Sequence, residues 1–258
     1  MLSNRTAIIT GAGSGIGKAI AQHFARHGAR VVVADLDKTA ARNSADEIRA
    51  QNGIAMAVAC DVADETSVTE MVQKAVADFT AIDILVNNAG LQFISKIEEF
   101  PLEKWNQLIS VMLTGTFLCT KACVPHMKKA KWGRIINISS AHGKAPSPWK
   151  CAYVAAKHGI IGFTKVMACE LAEWNITANS ICPGYVLTPL VEKQIIDLAK
   201  QHGISEAEVP EQVLLKNQPL KKLVSTDDLA ALALYLTGPA AQCITGQALS
   251  IDGGWTFS

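Results

Sequence analysis

Short apolar runs alternate with longer segments that are apolar on one side only, and this alternation extends along the whole chain. Seven of the runs have the length of β-strands, and most are apolar at nearly every position, which is typical of strands buried on both faces. Strands of this kind that alternate with amphipathic helices predict a parallel sheet covered by helices, an α/β fold. The predicted strands are residues 6–10, 30–34, 55–59, 83–87, 134–138, 178–182 and 248–251.

Length and composition predict one large domain over residues 1–258. The chain has 258 residues, of which 49% are hydrophobic, and this is enough for a substantial core. No internal repeat, low-complexity tract or Pro/Gly-rich linker interrupts it. Residues 190–222 are longer than a crossover between strands requires, and their helical pattern is interrupted at His202-Gly203 and at Pro210. Because this segment follows the sixth strand directly, we expect it to form a lid over the substrate.

Charge and hydropathy argue against nucleic-acid and membrane partners. The formal net charge is +1, so no strong field attracts either of them. No apolar run approaches the roughly 20 residues of a membrane helix, and the first strand begins too early to leave room for a signal peptide. The basic run 128–134 could bind CoA or acyl-carrier protein, but it precedes the fifth strand, so a solvated loop is the preferred interpretation.

The cysteines indicate a reducing compartment. The seven cysteines contain no C-x-x-C pair, and most lie in apolar surroundings, for example Cys60, Cys169 and Cys182. Reduced core thiols in a cytoplasmic protein are therefore expected. We assign no metal site.

A glycine-rich loop, T-G-A-G-S-G-I-G, follows the first strand and leads into a helix. Glycines permit a tight turn and let backbone amides approach a pyrophosphate at the helix N-terminus, although such loops also form ordinary turns. Asp35 ends the second strand, eighteen residues after Gly17, where a carboxylate can bind the adenosine ribose. That carboxylate repels a 2′-phosphate, and Ser14 and Leu36 add no positive charge, so NAD is expected rather than NADP.

Two further strand ends suit a bound dinucleotide. Asp61, after the third strand, could face the adenine, or it could cap the helix that starts near Thr66. N-N-A-G at 87–90 closes the fourth strand, and its small and amide residues allow close approach of a cofactor, although such a sequence could also form any turn.

A tyrosine and a lysine stand four residues apart in Y-V-A-A-K, with Ser140 thirteen residues before the tyrosine. On a helix, Tyr153 and Lys157 share one face. An ammonium about 4 Å from a phenolate is worth roughly 4 kcal/mol at an effective dielectric of about 20. This predicts that the pKa of Tyr153 lies near neutrality, where the phenol can act as a general base.

Together, T-G-A-G-S-G-I-G, N-N-A-G, Ser140, Y-V-A-A-K and C-P-G-Y-V-L-T-P resemble the short-chain dehydrogenase/reductase family over essentially the full chain. The resemblance implies a single Rossmann-like, doubly wound domain of about seven parallel strands, usually a homotetramer. It also implies that Tyr153 is the acid/base, that Lys157 binds the nicotinamide ribose and tunes the tyrosine, and that Ser140, or its neighbour Ser139, polarises the substrate oxygen. The expected cofactor-binding residues are Gly11, Ser14, Gly15, Ile16, Gly17, Asp35, Asp61, Val62, Asn88, Ala89, Gly90, Tyr153, Lys157, Pro183, Gly184, Val186 and Thr188.

One residue departs from the family pattern. The family usually has an asparagine within V-N-L-x-G-x-F, and this chain has Met112 there. Methionine keeps the backbone carbonyl but lacks the amide side chain that supports a proton-relay water. Slower proton exchange with solvent is therefore expected, unless Met112 is an ordinary core residue and water reaches the site by another route.

Polar side chains near the predicted carboxyl edge suit a small carboxylate. Alone, each could cap a turn or lie at the surface. Their local sequences resemble the bacterial D-3-hydroxybutyrate dehydrogenases, which implies reversible oxidation of (R)-3-hydroxybutyrate to acetoacetate. The alternatives are another small hydroxy acid, a sugar, a 3-oxoacyl thioester, or a non-catalytic NAD(H)-binding protein. The resemblance also implies that Trp255 helps to close the pocket, while Tyr185 replaces a tryptophan and changes the pocket volume. The expected substrate-binding residues are Gln92, Ser140, His142, Lys150, Tyr153, Tyr185, Gln194 and Trp255.

Overall fold

The computed structural model describes residues 2–216 and 218–257, apart from several side chains between residues 189 and 202. In this part of the chain, seven parallel strands form one sheet, and all seven predicted strands are confirmed. The strands are β1 Thr6–Thr10, β2 Arg30–Asp35, β3 Ile54–Ala59, β4 Ile84–Asn87, β5 Gly133–Ile138, β6 Ile176–Pro183 and β7 Ala248–Ile251.

The order of the strands is β3-β2-β1-β4-β5-β6-β7. The chain therefore builds the sheet outward from β1 in one direction, returns to the middle, and continues from β4 in the other direction. Between β1 and β4 the connections leave to opposite sides, which opens a crevice at the carboxyl ends of these two strands.

Helices cover both faces of the sheet, so each strand buries side chains on both sides. In β1, for example, Ile9 packs in the cluster that contains Phe24, and its neighbour Ile8 packs in the opposite cluster with Met71. This explains why the strands are apolar at nearly every position. The helices are α1 Gly15–Arg26, α2 Lys38–Ala50, α3 Glu65–Phe79, α4 Leu102–Ile109, α5 Gly115–Ala130, α6 Cys151–Leu171, α7 Pro189–His202 and α8 Thr226–Thr237.

Helix ends follow the capping chemistry of the sequence. The side chain of Asp64 accepts a hydrogen bond from the Thr66 amide at 3.0 Å and caps α3, so the interpretation of Asp61 as the cap of this helix is wrong. Gly203 ends α7 at a φ of 66°, a left-handed conformation that suits glycine. The predicted interruption of the helical pattern at His202-Gly203 is thus confirmed.

Helices α4 and α5 form one continuous helix through a π-helical turn at Ser110–Thr114. By length and composition this helix, residues 102–130, could cross a membrane, with a mean hydropathy of 1.5 over an 18-residue window within it, so the expectation of no such segment was wrong. Buried core helices pass the same test, and 44% of its most apolar window is buried within the fold. Leu108 and Met112 pack in one cluster, while Cys119 and Cys123 pack in another.

Two further expectations are corrected by burial. Cys60 and Cys182 are buried as expected, but Cys169 lies on the exposed side of α6. The basic run 128–134 is not wholly solvated, because Arg134 is only 3% exposed. Its guanidinium lies 4.5 Å from the ring centre of Trp132, and that of Arg5 lies 3.8 Å from the same ring.

Asp83 is a buried acid that pairs with Arg5, one of the two arginines beside Trp132. It accepts hydrogen bonds from the Arg5 guanidinium at 2.6 Å and from the Thr6 amide at 2.8 Å. We expect Asp83→Ala to lower the free energy of unfolding by about 2 kcal/mol, because a buried amide loses its acceptor. Urea denaturation measures this. Glu70→Ala, which removes the exposed ion pair with Lys74, should cost less than about 1 kcal/mol; equal losses would contradict the argument.

Candidate active site

A cavity of about 520 Å³ lies beyond the carboxyl ends of the strands, at the crevice between β1 and β4. Parallel α/β sheets bind their ligands at this position. Most of the residues expected from the sequence line it. They are Gly11, Ser14, Gly15, Ile16, Asp35, Asp61, Val62, Asn88, Ala89, Gly90, Gln92, Ser140, His142, Lys150, Tyr153, Lys157, Pro183, Gly184, Tyr185, Val186, Thr188 and Trp255.

Two expected residues stand apart from this set. Gly17 lies behind the loop rather than in the cavity wall, because a Cβ there would meet the Gly11 carbonyl oxygen at 2.4 Å and the Asn88 amide at 2.5 Å. Its lack of a side chain lets α1 pack closely on the strand ends. Gln194 belongs to α7, but its side chain lies outside the described part of the structure.

The glycine loop is shaped to hold a diphosphate. Gly11 and Gly15 have φ angles of 61° and 53°, which other residues rarely adopt. A Cβ on Gly11 would also lie 2.9 Å from the Cα of Ala89. The loop leads directly into the N-terminus of α1, where backbone amides favour an anion. The residues present therefore fit a dinucleotide.

The loop is joined to the end of β4 by hydrogen bonds. The Asn88 side-chain amide donates to the carbonyls of Thr10 and Gly11, each at 3.0 Å. The Thr10 hydroxyl accepts from the amides of Asn88 and Ala89 at 3.0 and 3.2 Å. Thr10, which the sequence analysis did not single out, thus fixes the N-N-A-G segment against the glycine loop.

Asp35 is held at the end of β2 with both carboxylate oxygens in use. One oxygen accepts from the Gly13 amide at 2.9 Å and the other from the Asp37 amide at 3.0 Å. The carboxylate is therefore fixed beside the loop, at the edge of the cavity. Leu36, its neighbour, also lines the cavity and is 73% exposed.

Ser140, Tyr153 and Lys157 meet at the inner end of the cavity. The Ser140 hydroxyl accepts a hydrogen bond from the His142 amide at 3.1 Å and lies within hydrogen-bonding reach of the Tyr153 phenol. Lys157 is 4% exposed, and its ammonium donates to the Ile138 carbonyl at 2.8 Å. This ammonium lies 5.5 Å from the ring centre of Tyr153.

Burial, rather than the lysine, dominates the ionisation of the tyrosine in this structure. Burial raises the pKa of Tyr153, and the Ser140 hydroxyl opposes this rise only in part. Burial also lowers the pKa of Lys157 to about 8. The expectation that the lysine brings the pKa of Tyr153 near neutrality is wrong for this state, because both groups are desolvated and the ammonium points to a strand carbonyl.

His142 and Lys150 form a buried polar pair. The Lys150 ammonium lies 3.3 Å from Nε2 of His142, and Lys150 is only 8% exposed, so a solvated lysine is excluded. Burial, together with this ammonium, lowers the pKa of His142 to about 4, so the imidazole is neutral near pH 7. A neutral imidazole can accept from the ammonium through Nε2. None of the ion pairs among residues 2–216 and 218–257 includes Lys150.

Aromatic rings form the outer wall of this pocket. Tyr185 and Trp255 stack with 5.7 Å between ring centres, and the His142 ring lies nearly perpendicular to that of Trp255 with 4.8 Å between ring centres. The turn that carries Trp255 is held by Asp252, which accepts from the amides of Gly254 and Thr256. The chain end thereby becomes a fixed part of the pocket.

Met112, which stands where the resemblance implied an asparagine, is buried in the apolar cluster against which Tyr153 packs and is not part of the cavity wall. Its carbonyl accepts from the Thr116 hydroxyl at 2.7 Å.

Sequence reasoning missed several lining residues. Ser139 was considered only as an alternative to Ser140. Most of the others are apolar, and their only signal was proximity to residues already singled out. They are Leu36, Cys60, Leu91, Val111, Ile138, Ser139 and Val191.

The fold and the cavity together define the class of protein as a Rossmann-like dehydrogenase. The chain belongs to the short-chain dehydrogenase family, whose family profile matches residues 5–198. The resemblance inferred from the motifs is thus confirmed, and so is the Rossmann-like sheet. The protein is an oxidoreductase, and membership implies a nicotinamide cofactor.

Relatives match over nearly the whole chain. A D-beta-hydroxybutyrate dehydrogenase of Rhizobium meliloti is 50% identical over 254 residues, which is 98% of either chain. A protein of the same name from Cupriavidus necator is 44% identical, with 99% of either chain covered. A 3-oxoacyl-[acyl-carrier-protein] reductase of Synechocystis is 39% identical, covering 98% of this chain and 97% of its own.

The position of Gly17 yields a test of the dinucleotide cradle. In Gly17→Ala the new Cβ must displace the Gly11 carbonyl or the Asn88 side chain. We expect NADH to bind about tenfold or more weakly, as measured by fluorescence titration. The control is Gly162→Ala in α6, where a Cβ meets nothing within 4 Å. It should leave binding unchanged and stabilise the helix slightly. Unaltered NADH binding in Gly17→Ala would contradict the cradle.

Proposed function

We propose that this protein interconverts (R)-3-hydroxybutyrate and acetoacetate with NAD. The observation that carries the proposal is a buried cation, Lys150, that lines the same cavity as Ser140 and Tyr153 and belongs to no ion pair among the described residues. A buried ammonium favours an anionic ligand. Two relatives named D-beta-hydroxybutyrate dehydrogenase support a hydroxy acid as that ligand.

Proton transfer is assigned to Tyr153. A nicotinamide cofactor held by the glycine loop and Lys157 would supply the acceptor or donor of the hydride. Because burial raises the pKa of Tyr153, the phenol is protonated at neutral pH and can donate its proton to the ketone oxygen during reduction. Oxidation requires the phenolate, which the Lys157 ammonium stabilises from the same helix face. The Ser140 hydroxyl, which accepts from the His142 amide, can donate its proton to the substrate oxygen.

The carboxylate is assigned to the pocket of Lys150 and His142. Lys150 supplies the positive charge, while neutral His142 orients the ammonium by accepting from it. Gln92 lines the same cavity and can donate to a carboxylate. The stacked rings of Tyr185 and Trp255 close the outer side, which favours a short acid over a long acyl chain.

The preference for NAD is assigned to Asp35. Its carboxylate is fixed at the cavity edge by two backbone amides and would meet the ribose 2′ position. A 2′-phosphate there would face a fixed negative charge, and Leu36 offers no compensating one.

The remaining parts of the proposal rest on sequence pattern and resemblance. Residues 190–222 act as a lid over the substrate, in one domain that spans residues 1–258. The enzyme assembles as a homotetramer. It works in the cytoplasm on a small molecule, with neither nucleic acid nor a membrane as partner.

The direct test is NADH formation from each enantiomer of 3-hydroxybutyrate, with NAD and NADP in parallel. We expect turnover of the R form with NAD, and a loss of kcat/KM of at least about 100-fold with NADP or the S form. Tyr153→Phe should bind NADH like the wild type and lose nearly all turnover.

Other outcomes would identify the alternatives. Turnover of an acetoacetyl thioester in preference to the free acid would replace the proposal with an acyl-thioester reductase, the activity named for the Synechocystis relative. NADH binding without turnover of any hydroxy acid, sugar or thioester would indicate a non-catalytic NAD(H)-binding protein.

Lys150 yields a prediction about pH. Burial lowers its pKa, so its positive charge is present at low pH and is lost as the pH rises through that lowered value. We expect the KM for 3-hydroxybutyrate to rise with pH, whereas Lys150→Arg, which stays charged, should show a KM independent of pH. Lys150→Ala should raise KM about 30-fold. Parallel KM profiles for the wild type and Lys150→Arg would remove Lys150 from the carboxylate site.

A further inference from the structure

The end of β5 contacts Lys157 at two points. The Lys157 ammonium donates to the carbonyl of Ile138 at 2.8 Å. The hydroxyl of the next residue, Ser139, donates to the backbone carbonyl of the same lysine at 2.9 Å. One strand end therefore holds both the head group of Lys157 and the helix turn from which it projects.

The second of these contacts is buried and closely packed. Ser139 is 3% exposed, and its amide donates to the Ile181 carbonyl of the neighbouring strand at 2.8 Å. The Cys182 thiol lies beside its hydroxyl. A Cβ on Gly143 would lie 2.4 Å from the Ser139 hydroxyl and 2.9 Å from the Lys157 carbonyl, so no side chain fits over this hydrogen bond.

We propose that Ser139 is a positioning residue that fixes Lys157 against the end of β5, an inference that rests on the role proposed above for Lys157. Ser139 touches neither the reacting atoms nor the acid/base, because its proton is used on the helix carbonyl. Ser140, one residue later, lines the cavity beside the Tyr153 phenol and accepts from the His142 amide. The two adjacent serines thus divide the work: one holds the lysine, and the other holds the substrate oxygen.

The consequence follows from geometry. Lys157 projects from α6, and its only anchor besides the helix itself, among the described contacts, is the strand end at residues 138 and 139. If the Ser139 hydroxyl is removed, the helix carbonyl loses a buried donor and the turn can move away from the strand. Misplacement of a catalytic group by about 1 Å can cost about 100-fold in rate.

The test compares Ser139→Ala with a matched variant, Ser180→Ala. Ser180 is also buried in the sheet and bonds to α6, through the Thr164 hydroxyl at 2.7 Å, but it lies away from the cavity wall. We expect Ser139→Ala to lower kcat about tenfold and to weaken NADH binding about fivefold, with the KM for the hydroxy acid unchanged. Ser180→Ala should lose similar thermal stability without either change. Ser139→Thr, which keeps the hydroxyl, should restore most of kcat.

The pH dependence of NADH binding separates positioning from general damage. Because burial lowers the pKa of Lys157 to about 8, its ammonium is present below that value and is lost above it. Wild-type affinity for NADH should therefore fall as the pH rises through about 8, and this fall should be smaller in Ser139→Ala. An equal weakening at every pH, or equal effects of the two alanine variants, would overturn the proposal.

NADH binding does not depend on the identity of the substrate. If the wild type fails to oxidise 3-hydroxybutyrate while Ser139→Ala still shows the altered pH dependence, the proposed function fails and the positioning role stands. If the wild type is active and Ser139→Ala matches it in kcat and in NADH binding, the positioning role fails alone.

Discussion

Hydrogen bonds from Asn88 to the carbonyls of Thr10 and Gly11 join the two halves of the sheet at the crevice. Everything that lines the cavity is positioned relative to this junction, because the glycine loop comes from one half and the tyrosine helix is carried by the other. Parallel pairing of β1 with β4 brings the two segments to the same edge, and the side-chain amide fixes their distance. These hydrogen bonds are short and end on backbone carbonyls, so a small displacement of Asn88 would shift residues throughout the site.

Removal of water sets the chemistry of the site. His142, Lys150 and Lys157 each have a lowered pKa, and for each of them burial is the largest cause. Tyr153 shifts in the opposite sense for the same reason, because its charged form is the anion. Folding therefore buries four ionisable groups whose charged forms are disfavoured by the loss of water, and this lowers the stability of the folded protein. A bound anion and a bound cofactor can offset that cost. Ligand binding should therefore be strong at the site where burial of these groups destabilises the unliganded protein.

The sequence was sufficient for all seven strands and for most of the cavity wall, because both follow from local patterns: buried runs, glycine spacing and residues at strand ends. It was insufficient where the outcome depends on packing between distant segments. Cys169 was expected in the core and is exposed, whereas Arg134 was expected in a solvated loop and is buried. Both errors arise because neighbours in sequence need not be neighbours in space. The pKa of Tyr153 was misjudged because spacing on a helix gives proximity but not burial. Gly17 has a packing role that only the Asn88 contact reveals.

The segment that connects β5 to α6 carries His142 and Lys150, whereas Tyr153 and Lys157 lie on α6 itself. The groups assigned to proton transfer are fixed by strand and helix, through the contacts of residues 138–140 with Lys157 and Tyr153. His142 and Lys150, which are assigned to the substrate, lie between these elements in a segment whose turn depends on Gly143. Substitutions in this segment can therefore change the substrate pocket, provided that the glycine is kept, without moving the groups assigned to proton transfer. The architecture thus separates the residues assigned to substrate preference from the residues assigned to the reaction.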